Sequence, residues 1–368
     1  MNHSLFLEQA YSLARSAWGR TAPNPPVGAL IIREGKILGT GVHLGPGEPH
    51  AEAAALEDLK SKGYSPVGAT LYVSLEPCCH EGPGKRTPPC AQRIIKEGLT
   101  HVVIGCLDPN PAVAGKGAVM LREAGIKVTL AEDTSEALDL IKEFQIWILE
   151  KRATIHLKWA QTLDGQLAAK DKSSRWITCA QAREEAHRLR ALHHGVLIGS
   201  GTLRDDNPSL LPLNQGVPWP ARFILSGEKA LPEASKIFTD DYNDQTWVIA
   251  TPGSLPWEQA QSLVPGRVVE WEMGNWAMLT KKLFDLGFYS LLVEGGAEVH
   301  NSLLRAGFWD RISVFIAPKI LGAGKNIPGN LGRDTIAQAL ELTNLKIKTY
   351  GSDFLLSGIQ EGTRCLQV

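Results

Sequence analysis

The strongest constraint on this chain is a spaced set of metal-ligand chemistry: His50-Ala51-Glu52, then Glu76-Pro77-Cys78, then Pro88-Pro89-Cys90. One imidazole and two thiols make three protein ligands for zinc. Three ligands leave the fourth tetrahedral position open, which is the catalytic arrangement rather than the closed structural one. A fold that uses them must bring three separate segments to one point, and the local patterns show how. Residues Thr70 to Leu75 read as a buried strand that ends at Glu76-Pro77. Two prolines precede Cys90, and Gly98 lies beyond the run that follows it, which is the pattern of a helix opening at Cys90. A helix start favours a thiolate there. His50 precedes the Ala-rich run from Ala51 to Leu59 and opens another helix.

Glu52 is not needed to bind the metal. It is the group that would carry protons to and from a metal-activated water. His-x-Glu, then Pro-Cys and a later Cys, is a zinc deaminase signature. Taken singly, each residue is ordinary: a His at a helix start is usually a cap, and a lone Cys is usually a small buried hydrophobe. Their order and joint presence point to the metal. The spacing leaves Cys79 and His80 open as further ligands. The compact signature has two residues between its cysteines, whereas here residues 79 to 89 separate Cys78 from Cys90. That insert contains Gly82-Pro83-Gly84-Lys85-Arg86, which reads either as a solvated turn or as an anion clamp over the site.

At 368 residues the chain is long for one core, and two domains are expected, 1–147 and 148–368. A formal net charge of −1 weighs against a polyanion-binding surface and so against a nucleic-acid partner. No apolar run is long enough to span a membrane. The first residues, Met1 to Gly19, carry Glu8 and Arg15 in an amphipathic pattern and lack the features of a signal peptide. Six cysteines in this length do not make a disulfide framework, so the reducing cytoplasm is expected.

Along the first half, a helix at about 3 to 18 leads into strands at 27–32 and 36–41 joined at Glu34-Gly35. The His50 helix, the 70–75 strand, the Cys90 helix, the 101–106 strand, a helix ending near Gly125 and the 126–130 strand follow. This alternation predicts a three-layer α/β arrangement. Residues 135 to 152 read as one helix, and a second α/β pattern begins at Thr154. It has strands at 155–160, 196–198, 222–225, 246–250, 291–294 and 312–317, with helices at 180–193, 276–286 and 299–305. Residues 208–220 read as an irregular loop. Two Gly-rich turns follow strands, Gly199-Ser200-Gly201-Thr202 and Gly295-Gly296-Ala297. Neither is G-x-G-x-x-G. Each is a tight turn or a backbone phosphate site.

In sequence order, Pro23-Asn24-Pro25 with Val27-Gly28, Gly47-Glu48-Pro49-His50-Ala51-Glu52, Leu75-Glu76-Pro77-Cys78, Thr87-Pro88-Pro89-Cys90, and Asp108-Pro109-Asn110-Pro111 with Ala114-Gly115-Lys116-Gly117 are followed by Thr162-Leu163-Asp164-Gly165, Ser174 with Trp176-Ile177-Thr178, Gly201-Thr202, Asp206 near Pro208, and Val293-Glu294-Gly295-Gly296. On these motifs the chain resembles, over nearly its whole length, the bifunctional deaminase/reductases of riboflavin biosynthesis. The resemblance implies a cytidine-deaminase-like three-layer α/β/α domain followed by a dihydrofolate-reductase-like α/β domain. It implies hydrolytic deamination of 2,5-diamino-6-ribosylamino-4(3H)-pyrimidinone 5′-phosphate, then NADPH reduction of the ribosyl group of 5-amino-6-(5-phosphoribosylamino)uracil to ribityl. Zn2+ then falls on His50, Cys78 and Cys90 and the proton shuttle on Glu52, while Cys79 stands where the family usually has Ser.

The same resemblance places Asn24, His43, His80, Arg86, Asp108 and Asn110 around the deaminase substrate, with Arg86 on its phosphate. It places Ala160, Trp176, Thr202, Asp206, Ser226 and the run Gly296, Ala297, Glu298, Val299, His300, Asn301, Ser302 on the NADPH. Ser174, Arg190, Leu210 and Glu294 fall on the reductase substrate, with Lys158 near the reacting centre. Besides Cys79, the chain departs from the family pattern in three places. The Cys78–Cys90 loop is longer than usual, so Lys85 and Arg86 compete for the phosphate. Asn207 replaces a second Asp. Leu211-Pro212-Leu213 stands where the family has a substrate-binding Arg, which shifts weight to Arg190. The expected partners are small phosphorylated pyrimidines and further copies of the chain, with no nucleic acid and no membrane. A nucleic-acid cytidine or adenosine deaminase with a C-terminal binding domain shares the zinc signature. It predicts a basic stripe, which the near-neutral charge does not favour. A structural zinc module predicts a closed four-ligand site and has no use for Glu52.

Overall fold

The computed structural model describes residues 3–80, 88–171, 173, 176–213, 219–327, 329 and 331–360. The chain divides into two compact units, one running to Lys151 and one beginning at Arg152. No helix among the described residues is long and apolar enough to cross a membrane.

The first unit runs α1 (His3–Ser16), β1 (Gly28–Arg33), β2 (Lys36–Val42), α2 (Ala51–Ser61), β3 (Thr70–Val73), α3 (Cys90–Lys96), β4 (His101–Ile104), α4 (Lys116–Glu123), β5 (Lys127–Leu130) and α5 (Ser135–Leu149). Its five strands lie in the order β2-β1-β3-β4-β5. The pairs β1/β2 and β1/β3 are antiparallel, whereas β3, β4 and β5 run parallel. Strand side chains alternate between faces, and both faces here are covered. Ala29 and Ile31 of β1 join Leu71, Val73, Val102 and Ile104 under α2, α3 and α4. Leu30 and Ile32 join Tyr72 and Val103 under α1 and α5. That two-sided burial is why β1 reads as an unbroken apolar run. Helix α1 buries Leu7, Ala10, Tyr11 and Ala14, the i, i+3, i+4, i+7 stripe of a one-sided helix. Helix α5 stops at Leu149, short of the expected 152, because Lys151 takes a left-handed φ of 53°.

The second unit runs β6 (Thr154–Thr162), β7 (Gln166–Ala169), α6 (Ala180–Ala191), β8 (Gly195–Gly199), α7 (Ser200–Asp206), β9 (Ala221–Leu225), α8 (Lys236–Thr239), β10 (Thr246–Ala250), α9 (Leu255–Leu263), β11 (Val268–Glu270), α10 (Trp276–Asp285), β12 (Ser290–Val293), α11 (Ala297–Ala306), β13 (Arg311–Ala317), β14 (Gly324–Asn326), β15 (Leu342–Tyr350) and β16 (Asp353–Gln360). Nine strands form one sheet in the order β11-β10-β9-β8-β12-β6-β13-β16-β15. It is parallel from β11 through β13, and the β15–β16 hairpin closes it antiparallel. The strands β7 and β14 pair separately as a two-stranded ribbon. One face of the sheet packs Leu157, Phe223, Leu291, Val293 and Val314 against α10 and α11. The other packs Val196, Ile198, Ile224 and Val248 with Leu203 of α7 and Ala260 of α9. In parallel sheets of this kind, ligands bind beyond the carboxyl ends of the strands. Here the ends of β8 and β12 carry the Gly199–Thr202 turn and Glu294, and Lys158 lies midway along the neighbouring β6.

Candidate active sites

In the first unit, His50 occupies the N-cap of α2 with an extended backbone, and Pro89 caps α3 so that Cys90 is its first residue. Cys78 lies five residues past the end of β3. His50 Nδ1 is 3.5 Å from Cys78 Sγ and 3.4 Å from Cys90 Sγ. Zn–N and Zn–S bonds of ordinary length, set at a tetrahedral angle, put such atoms about 3.5–3.6 Å apart. The donor set and its spacing therefore fit zinc. Among the described residues this trio is the one group of three or more His, Cys, Asp or Glu ligand atoms within range of a common ion. Cys79 packs instead against the apolar cluster that includes Ala91 and Ile94. The helix start acts on Cys78 rather than on Cys90: the Cys90 amide donates to Cys78 Sγ at 3.4 Å. The Cys90 thiol, the His50 ring and that amide hold the Cys78 thiol far down, to about 3, while the neighbouring Cys78 sulfur and burial push Cys90 up.

Glu52, in the first turn of α2, is 5% exposed and accepts a hydrogen bond from the Cys90 thiol. Burial and the Cys78 charge push its carboxyl up to about 7. It borders a cavity of about 570 Å³ together with Asn24, His43, Glu48, His50, Cys78, His80, Asp108 and Asn110. His43 Nδ1 donates to the Pro49 carbonyl at 3.0 Å, so Nε2 accepts from the Asn24 amide at 3.1 Å. Burial lowers the His43 pKa, which keeps the ring neutral and fixes the Asn24 amide at the cavity wall. Burial also pushes the Asp108 carboxyl up to about 7. Of the sequence-derived residues of this site, Asn24, His43, His50, Glu52, Cys78, His80, Asp108 and Asn110 share the cavity. Cys90 closes the ligand trio, and Arg86 lies outside the described residues.

The second unit holds a cavity of about 1020 Å³. Its lining includes an ionic cluster. Arg190 of α6 clamps Glu294 with Nε at 2.7 Å and Nη2 at 2.8 Å, a two-point contact. Lys158 Nζ stands 3.8 Å from Glu294. Burial alone would raise Glu294, but the Arg190 and Lys158 charges hold it at about 2. Burial lowers the Lys158 pKa against the pull of Glu294. Ala160, Trp176, Thr202, Asp206, Gly296, Ala297 and His300 line the same cavity. Trp176 is 62% exposed, and the Arg183 guanidinium lies 4.2 Å from its ring centre. Gly296 caps α11 at φ 70° and ψ 131°, and a Cβ there would lie 3.2 Å from Thr202 Oγ1. This open backbone turn at a helix start, in a cavity that Lys158, Arg183, Arg190 and Lys325 also line, fits a phosphate-bearing dinucleotide.

Other sequence-derived residues of the second unit sit elsewhere. Glu298 faces solvent and Val299 packs in the core. Asn301 Oδ1 accepts the Gly329 amide, and Ser302 Oγ accepts the Trp276 indole N–H. Leu210 is buried in the core at φ 58°, and Ser226 is buried past the end of β9. Ser174 lies outside the described residues. Sequence reasoning overlooked His187 and the β7/β14 ribbon as cavity wall. It gave Asp164 no role; its carboxylate accepts the Thr162 hydroxyl and the Leu321 and Gly322 amides, tying the approach to β14 onto the β6–β7 turn.

Family models match the chain at residues 153–356, as the RibD C-terminal domain, and at residues 1–106, as the cytidine and deoxycytidylate deaminase zinc-binding region. The RibD riboflavin biosynthesis protein of Aquifex aeolicus is 42% identical over 95% of this chain and 96% of its own. That of Escherichia coli is 34% identical over 97% and 99%. This chain belongs to the RibD family. A solved structure from Thermotoga maritima, described as a diaminohydroxyphosphoribosylaminopyrimidine deaminase/5-amino-6-(5-phosphoribosylamino)uracil reductase, superposes with a TM-score of 0.80 at 32% identity. It covers 97% of this chain and 98% of that one. The chain is thus a bifunctional RibD deaminase/reductase of riboflavin biosynthesis, with a cytidine-deaminase-like domain followed by a RibD reductase domain. Small pyrimidine substrates fit that family, and the nucleic-acid deaminase alternative is not favoured.

Proposed function

We propose that the first domain, 1–147, hydrolyses the amine of 2,5-diamino-6-ribosylamino-4(3H)-pyrimidinone 5′-phosphate. The second domain, 148–368, then uses NADPH to reduce the ribosyl group of 5-amino-6-(5-phosphoribosylamino)uracil. The observation that carries the deaminase half is the His50–Cys78–Cys90 trio with Glu52 in the same first turn of α2, where His50, Glu52 and Cys78 line a cavity of about 570 Å³. His50, Cys78 and Cys90 would hold the zinc. Bound there, zinc would supply the Lewis acidity that brings a water proton within reach of a carboxylate near neutral pH. Glu52 carries one proton of the attacking water to the ring nitrogen and the second, from the resulting hydroxyl, to the departing amine, so the C–N bond breaks and ammonia leaves as the ring carbonyl forms. A carboxyl pushed to about 7 suits a group that must both accept and release a proton. Asp108 and the fixed Asn24 amide hold the ring, and Lys85 or Arg86 takes the phosphate.

In the second domain the Gly296 turn, Thr202 and Trp176 would hold NADPH, whose nicotinamide supplies the hydride. Arg190, Glu294 and Lys158 orient the sugar that receives it. The thiol ligands suit a reducing compartment, so the enzyme works in the cytoplasm, and it assembles as a homo-oligomer, which light scattering tests. For the metal, chelation followed by zinc titration is the direct experiment. Chelated enzyme should lose ammonia release and recover it with a single equivalent of zinc. Undiminished ammonia release from metal-free enzyme would overturn the reading.

A further inference from the structure

Glu76 is quoted in the ligand motif, yet no step of the reaction uses it. Its side chain is 3% exposed, and a buried carboxylate persists only where donors surround it. Three backbone amides do so. Asp108 N donates to Oε2 at 3.1 Å, Gly115 N to the same oxygen at 2.8 Å, and Ala118 N to Oε1 at 3.0 Å. Gly115 is the N-cap of α4, and no neighbouring side chain caps that helix. Glu76 therefore caps α4 from a distant segment, where the helix dipole favours its charge.

The consequence concerns the cavity. Asp108 begins, and Gly115 ends, the loop that carries the Asp108 and Asn110 side chains to the substrate wall. One carboxylate grips both ends of that loop. Within it, the Asn110 amide donates to Asp108 Oδ1 at 2.8 Å and the Ala112 amide to Asn110 Oδ1 at 3.0 Å, so the side chains follow the backbone. The fit is close. A Cβ on Gly117 would lie 2.1 Å from the Pro77 carbonyl oxygen and 3.2 Å from Glu76 Oε1, so only glycine lets α4 seat here. Glu76 is also two residues before the Cys78 ligand. We propose that Glu76 is a positioning residue for deamination: it sets the Asp108–Asn110 edge of the substrate cavity at a fixed distance from the metal-ligand loop. The proposal rests on the deaminase reading of this site.

The test uses full-length, zinc-loaded protein and the variant Glu76→Gln, which keeps the size but turns an amino group towards amides that need an acceptor. Ammonia release by the wild type is measured first; its absence would sink the deaminase reading and this proposal with it, whereas failure of the Glu76 variants alone would sink only this proposal. In Glu76→Gln the zinc content should stay full, the deaminase KM should rise at least about tenfold with a smaller fall in kcat, and the reductase constants should not change. Glu76→Asp keeps the charge and should show the same split to a smaller degree. In an Asn110→Ala background, Glu76→Gln should add little to KM, because both act through one edge. A merely structural Glu76 would lower Tm and leave KM alone. An unchanged KM in the zinc-loaded variants, loss of zinc from them, or fully multiplicative effects in the double variant would each overturn the proposal.

Discussion

The site of the first unit takes three soft ligands and one carboxylate from two helix starts and a post-strand loop, around a cavity of about 570 Å³. The site of the second takes its groups from β6, α6, α7, α11 and the ends of several strands, around about 1020 Å³. The two therefore differ in how their function is distributed. On the proposed reading, a metal and a single shuttle would concentrate the first chemistry on four residues. Recognition of a dinucleotide and a sugar would spread the second over many modest contacts, with the hydride coming from the cofactor. Replacing one residue should abolish the first activity and only degrade the second.

The largest effect should come from Cys78→Ser. A serine hydroxyl is a poor zinc ligand, so metal and deamination should both fall to background, while Cys79→Ser keeps both. Metal analysis of the two variants breaks the assignment if the pattern is reversed. Next is Glu52→Gln, which keeps shape and metal and removes the base. Its kcat for ammonia release should drop by about 10²–10⁴, with reductase kinetics unchanged. Full zinc with near-normal ammonia release would remove Glu52 from the mechanism.

In the second unit, Glu294→Gln leaves Arg190 and Lys158 without their shared anion. It should weaken the substrate more than NADPH and cost roughly 3 kcal/mol of stability, read by denaturant melts. The pH dependence has a definite sign. Glu294 is held at about 2, below its ordinary value of 4.5, so its contribution is fully present above about pH 4.5 and is lost as the pH falls through about 2. The wild type should show that acid loss and Glu294→Gln should not; parallel acid profiles would show that the cluster does not stabilise the fold. The smallest effect concerns Gly296→Val, which closes an open turn and disfavours its positive φ. The NADPH Kd should rise about tenfold, roughly one lost hydrogen bond, with zinc and deamination intact. A lower Tm with unchanged Kd would make the turn structural only.

The same contrast decides how much could be read from the sequence. His50, Glu52, Cys78 and Cys90 are chemically distinctive and sit at element starts marked by prolines and an alanine run, so the trio and its supporting elements were legible. The grip of Glu76 on the 108–118 segment was not, because its partners are backbone amides and carry no sequence signal. In the second unit the buried parallel strands announced themselves as apolar runs. The ribbon strand β14 is Gly-Lys-Asn and fully exposed, so it had no hydrophobic signature, and in β15 the apolar residues that alternate with lysines, Leu345 and Ile347, are themselves exposed at the sheet edge, so the pattern marks no buried face. The run 296–302 illustrates the limit at a site. A helix turns its residues in different directions, so Gly296, Ala297 and His300 reach the cavity while Glu298 and Val299 face solvent and core.

The most direct test follows ammonia and NADPH together, in one reaction of wild-type enzyme with the diaminopyrimidine ribosyl phosphate. Ammonia should appear at the same rate with or without NADPH, and NADPH oxidation should follow it. Chelated enzyme should produce neither signal from that substrate, yet should still oxidise NADPH when given the deaminated uracil compound. Ammonia release that requires NADPH, or chelation that stops reduction of the uracil compound, would contradict the division of chemistry between a concentrated metal site and a distributed cofactor site.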